Sequence, residues 1–97
     1  MLNHSRQNRN ASYSCHPKVR WVVEIDGVLL IHHELEKKKK LGYPEAAVWD
    51  LATQGFAYAR MVDLITRIAS VGFREAENIV NGCLESLAEQ GFLQKTE

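Results

Sequence analysis

No stretch of this chain approaches the roughly 20 consecutive apolar residues that a membrane-crossing helix needs, so no membrane-spanning segment is expected. Cysteine is scarce: Cys15 and Cys83 are too few for a disulfide framework, and free thiols are expected for both. Net charge is absent, with 12 basic and 12 acidic side chains, which argues against strong nonspecific attraction to nucleic acid. There is no glycine-rich phosphate loop, no paired-carboxylate motif and no G-x-S-x-G elbow. The arginines of "MLNHSRQNRNASYS" are followed by no apolar run, so the segment does not read as a secretory signal, and a cytoplasmic location is the default.

What is present fits one small globular domain. The 97 residues are 45% apolar and 25% charged, enough for one core and too short for two. Residues 1–16 are polar and aperiodic and read as a flexible N-terminal arm; residues 17–97 carry the domain.

From Val19 the pattern turns apolar. In "VRWVVEIDGVLLIHH" two β-branched runs flank Asp26-Gly27, which suits a type I′ turn and predicts a hairpin. A two-residue turn there opposes Ile25 to Val28, Val23 to Leu30 and Trp21 to His32, giving one apolar face for the core. A second turn near Leu35 and Glu36 sends Lys37–Leu41 back as a short third strand.

Three helices are predicted next. The first runs over about 44–54, opens with Pro44 at an N1-like position and stops at Gly55; its apolar residues cover about half its circumference, so deep burial is expected. The second, about 58–70, repeats Met61, Leu64, Ile65 and Ile68 and ends at Gly72. The third, about 74–90, repeats Ala76, Ile79, Val80, Cys83, Leu84 and Leu87 and ends at Gly91, after which Phe92 and Leu93 pack back as an apolar tail or short strand. The fold class is therefore α+β, a winged-helix-like three-stranded antiparallel sheet followed by three helices.

Catalytic and metal-binding patterns are weak. His32 and His33 are neighbours on a strand and point to opposite faces, so one ion cannot take both; His32 is expected to partner a core polar group and His33 to be solvated. Cys83 lies on an apolar helical stripe and reads as a small core side chain. No catalytic residue, metal ligand or cofactor is assigned, and an enzyme acting alone is not expected.

Binding remains, and two surfaces compete. A winged-helix regulator would present a recognition helix to DNA, with Arg60 and Arg67 on the second helix or Arg74, Asn78 and Asn81 on the third. Glu75, Glu77, Glu85 and Glu89 on that third helix would repel phosphates, so nucleic acid is disfavoured. The other surface is the open edge of the lysine strand, where an extended peptide can add by backbone pairing. The lysines there either discourage unwanted edge pairing or attract an acidic peptide.

Four segments, "VRWVVEIDGVLLIHH", "KKLGYPEAAVWDLATQG", "ARMVDLITRIA" and "AENIVNGCLESLAEQGFL", together resemble the PqqD-like family, the pyrroloquinoline quinone biosynthesis protein D group of peptide-recognition domains in ribosomal peptide maturation. The resemblance implies a non-catalytic chaperone that binds the leader of a precursor peptide as an added strand and presents it to a radical S-adenosylmethionine enzyme. Carried onto this chain, the peptide would run along Lys37, Lys38, Lys39, Lys40 and Leu41 and against the third helix near Glu77, Asn81 and Cys83. Where the family commonly alternates apolar residues this strand is dense in lysine, which implies a more acidic ligand.

Overall fold

A computed structural model describes residues 12–96, with the side chains of Ser12 and Thr96 left aside. The elements are β1 (Ser12–Cys15), β2 (Val19–Glu24), β3 (Gly27–His32), β4 (Lys37–Leu41), α1 (Glu45–Thr53), α2 (Tyr58–Ile68), α3 (Phe73–Glu89) and β5 (Leu93–Thr96). The fold is α+β: a three-stranded antiparallel sheet in the order β2-β3-β4, a two-stranded antiparallel sheet of β1 and β5, and three helices.

The hairpin forms, in a different register. Glu24 opposes Gly27, Val23 opposes Val28, Trp21 opposes Leu30 and Val19 opposes His32, so Ile25 and Asp26 make the turn. A type I′ turn needs positive φ at both central residues. Among the described residues other than glycine only Glu36 and Ser70 have it, which rules that turn out. Gly27 is required for another reason: a Cβ there would lie 2.0 Å from the carbonyl oxygen of Leu41, where β3 and the end of β4 come together. The slip moves pairing by two residues, so side chains keep the faces expected of them. On the inner face Val19, Val28, Leu30 and His32 are buried, while Trp21 and Val23 stay exposed, as does Ile25 in the turn.

The third strand spans Lys37–Leu41, entered through Glu36 at φ +53°. Its burial alternates: Lys37, Lys39 and Leu41 share the inner face with Val28, Leu30 and His32, and Lys38 and Lys40 lie on the outer face.

α1 is buried on most sides through Ala46, Ala47, Val48, Trp49, Leu51 and Ala52. Pro44 is the residue just before the helix, and its carbonyl accepts from Ala47 and Val48 N–H. Trp49 is fully buried and meets the Trp21 ring edge-on, with centroids 5.4 Å apart. On α2 the buried stripe is Tyr58, Met61, Val62 and Ile65, an i, i+3, i+4, i+7 set. Ile68, expected inside, is exposed.

All three helices end alike. The N–H two residues past the helix cap returns to a carbonyl of the last turn: Phe56 to Leu51, Val71 to Thr66 and Phe92 to Leu87. Gly55 and Gly91 supply the left-handed residue for α1 and α3, but Ser70, at φ +56°, supplies it for α2. Gly72, expected to stop α2, instead caps the start of α3.

The flexible-arm expectation for residues 1–16 fails over its last stretch. Ser12–Cys15 is a strand paired with β5, extended by the His16 N–H donating to the Phe92 carbonyl, and Tyr13 and Cys15 pack on the core. Residues 1–11 lie outside the described residues. Four residues with no periodicity carry no strand signal of their own; the partner that orders them is some 80 positions away.

His32 joins the two sheets. It is 2% exposed, and its Nδ1 accepts the Leu35 N–H at 3.1 Å, holding the turn into β4. Its ring lies 4.8 Å from His16 and 6.0 Å from Phe92, centroid to centroid. His33 is exposed. Both cysteines are free thiols.

Candidate functional site: a groove between the β4 edge and α3

β4 is an outer strand of its sheet, and among the described residues no strand pairs with its far side. Beside that edge runs a groove of about 420 Å³ whose walls are β4 and α3. The strand contributes Lys39, Lys40 and Leu41, the connection into α1 adds Gly42 and Glu45, and α3 contributes Asn78, Ile79, Gly82, Cys83, Ser86 and Leu87.

The groove exists because α3 carries small side chains along one flank. Asn78, Gly82 and Ser86 recur at intervals of four and so line up on one helix face. Gly82 costs the helix about 1 kcal/mol relative to alanine. Nothing lies within 4 Å of where its Cβ would sit, so close packing does not demand the glycine. Ile79 and Leu87 give the wall an apolar component, and Leu41 is buried at the foot of the strand.

The four lysines have four different situations. Lys37 places its ammonium 5.4 Å from the centroid of the Phe92 ring, a cation–π contact. Lys38 is exposed beside Ile31 and His33, on the face away from the core. Lys39 lines the groove. Lys40 reaches across β3 and binds Glu24 at 2.8 Å and Asp26 at 3.0 Å. Hydrogen bonds to Glu24 and Asp26 hold the Lys40 ammonium above its usual range, and the bond from Lys40 holds Asp26 below the usual carboxylate range.

Cys83 sits in the groove wall and is almost wholly covered. Burial pushes its thiol up to about 12, the Glu45 carboxylate adds to the rise and Lys39 opposes it. A thiol so protonated is no nucleophile at neutral pH. Its Sγ donates to the Glu45 carbonyl at 3.8 Å.

Of the residues proposed from sequence, Lys39, Lys40 and Leu41 line this groove together with Cys83, and Lys37 and Lys38 adjoin it on the same strand. Glu77 and Asn81 do not line it. Each is one residue off the lining positions Asn78 and Gly82, which on a helix is about 100° of rotation. Gly42, Glu45, Asn78, Ile79, Gly82, Ser86 and Leu87 were missed as residues of this site. The signal for the helix side was the small-residue spacing Gly82 to Ser86 next to the buried stripe, and polar character drew attention to Asn81 instead.

Arg60 and Arg67, the cations that α2 could offer to phosphates, are both directed to Asp63, at 3.3 and 3.5 Å. Among the described residues no cluster of three or more His, Cys, Asp or Glu side chains could hold a metal ion, and no helix is long and apolar enough to cross a membrane.

No protein-family model, no curated protein and no solved structure matches the chain.

Proposed function

We propose that this protein is a non-catalytic peptide-recognition domain that takes an extended peptide as a fourth strand beside β4, with alternate side chains of the peptide entering the groove against α3. The observation that carries the reading is the coincidence of an unpaired strand edge with a groove of about 420 Å³ along the same strand. Backbone pairing supplies affinity in this mode and the groove supplies selectivity. Lys38 and Lys39, which have no ion-pair partner among the described residues, favour an acidic peptide and speed its encounter. Lys40 is already engaged and contributes little to that attraction.

The likeness to PqqD-like domains extends the proposal: the ligand is the leader of a precursor peptide, and the receiving partner is a radical S-adenosylmethionine enzyme of the same maturation system. The DNA-binding reading is weaker, because Glu75, Glu85 and Glu89 are exposed on α3 and the α2 arginines have an acidic neighbour.

Selection from a random peptide library, followed by NMR mapping of the winners, tests the proposal. Acidic, strand-forming peptides are expected to emerge and to shift Lys37–Leu41 together with Asn78, Gly82 and Ser86. Shifts confined to other surfaces, or no enrichment at all, would sink it.

A further inference from the structure

The opposite edge of the sheet is different in kind. β2 is also an outer strand, and among the described residues no strand pairs with its far side. It carries no run of lysines; Trp21 is 40% exposed, Val22 49% and Val23 73%. A flat apolar edge of this kind is one that natural proteins cover or pair. Behind it, on the same face as Trp21 and Val23, an apolar cleft of about 400 Å³ runs to α1, with Tyr43, Ala47 and Ile68 on its walls.

The order of side chains along this strand is self-complementary. On the outer face Arg20, Val22 and Glu24 follow one another, a cation, an apolar residue and an anion, with Lys18 in the turn before the strand and Asp26 in the turn after it. On the inner face Val19, Trp21 and Val23 are all apolar. Run antiparallel to itself about Val22, the strand sets Arg20 against Glu24 of the second copy, Trp21 against Val23 and Val22 against Val22, and brings the turn bearing Lys18 to the end of the copy's strand where its Asp26 turn lies. Every charge meets its opposite and every apolar residue meets another.

The backbone allows this register. The His33 N–H donates to the Lys18 carbonyl in continuation of the β2–β3 ladder, so the even-numbered residues of β2 are those bonded to β3. Trp21 and Val23 therefore turn their N–H and C=O groups to the open side, and the register about Val22 opposes Trp21 to Val23, so both sets of groups are met. Moving the axis by one residue in either direction keeps the backbone pairing but sets Arg20 against Val22 or Val22 against Glu24, losing charge pairs. Lys40 binds Glu24 through Oε1 and Asp26 through Oδ1, and both carboxylates are solvent-exposed, so an incoming cation can reach them.

We propose that a second copy of this chain occupies the β2 edge, giving a two-fold dimer with one continuous six-stranded sheet in the order β4-β3-β2-β2-β3-β4. Such an interface is isologous, with the same patch on both copies. The two β4 edges lie at its far ends, so this pairing leaves the β4 grooves uncovered and is independent of what they bind.

Sedimentation of the full chain from micromolar to several hundred micromolar, with circular dichroism to verify folding, tests the dimer. A mass of twice 11.0 kDa is expected at the upper concentrations. The K18E/R20E variant should raise the dissociation constant about tenfold or more, since cross-strand attraction becomes repulsion at symmetric positions. Mixing K18E/R20E with E24K/D26K should restore association, because every charged pair is again opposite in sign. V22C should form an intermolecular disulfide under mild oxidation and Arg20→Cys should not, because only Val22 meets itself. A monomer throughout the concentration range, an undiminished dimer in K18E/R20E, or equal cross-linking at the two positions overturns the proposal.

Discussion

Lys40 bridges the whole width of its sheet: from the outer strand β4 it passes over β3 to the carboxylate of Glu24, 2.8 Å away at the end of β2. One of four consecutive lysines thus serves the hairpin, and its charge is spoken for. Because Lys40 also holds Asp26 low, Lys40→Ala should move the Asp26 carboxyl back up toward its ordinary range in an NMR pH titration. A depressed carboxylate contributes stability above its unfolded value and loses it as pH falls through the folded one. The wild-type chain should accordingly lose some of its hairpin order as pH falls below 3.8, and Lys40→Ala should lose less. Both groups are solvent-exposed, so the change is a small one.

Replacing groove residues should separate attraction from fit. Lys39→Glu should slow association of an acidic peptide and leave its dissociation nearly unchanged, whereas Gly82→Leu should fill open space and abolish binding. Thermal unfolding of Gly82→Leu should match or exceed that of the wild type, because leucine is the better helix former. Stopped-flow fluorescence with labelled peptide gives both rates. Equal effects of Lys39→Glu and Lys40→Glu on association would contradict the assignment of Lys40 to the hairpin.

The buried thiol sets an alkaline limit. A group whose folded pKa is raised contributes stability below its unfolded value and loses it as pH rises toward the folded one. For Cys83, raised from 9.0 to about 12, stability should fall between those pH values. Tyr13, raised by burial and by Glu85, adds in the same direction. Urea unfolding from pH 8 to 11 should therefore decline, and less steeply in Cys83→Ala. Alkylation at pH 8 should label Cys15, which is only half-buried, before Cys83.

Two backbone positions give opposite responses to small substitutions. Ser70→Gly should stabilise the chain by about 0.5–1 kcal/mol, since glycine takes the left-handed conformation at the end of α2 without a Cβ penalty. Chemical denaturation measures it directly.

At the junction of β3 and β4, Gly27→Ala should cost about 3 kcal/mol or prevent folding, because the added carbon meets backbone and not a movable side chain. Gly42→Ala, with nothing within 4 Å of the new carbon, is the matched control and should change stability little.

Local signals made most of this fold legible. The three helices fall within two residues of the spans that periodicity and terminal glycines indicate, and Lys37–Leu41 pairs as a strand despite its poor strand propensity. Non-local causes hid the rest. Asp26-Gly27 looked like the turn itself, but the glycine answers to Leu41, 14 positions away. Ser12–Cys15 became a strand through its pairing with β5, and no local pattern within those four residues announces it. The candidate groove was readable on its strand side, where alternation fixes the faces. It was misread by about 100° on the helix side, because Glu77 and Asn81 are conspicuous residues and Gly82 is not.

The pairing of β1 with β5 sets how the domain answers to mechanical load. Ser12 lies opposite Thr96, so the two ends of the described chain emerge side by side, and tension between them falls on a single residue pair. The ladder would unzip pair by pair, from Ser12 and Thr96 inward to Cys15 and Leu93, where the buried Leu93 and the neighbouring Phe92 anchor it to the core. A pull on both ends thus opens the small sheet first, leaving β2, β3, β4 and the groove beside α3 assembled until Phe92 leaves its place against His32.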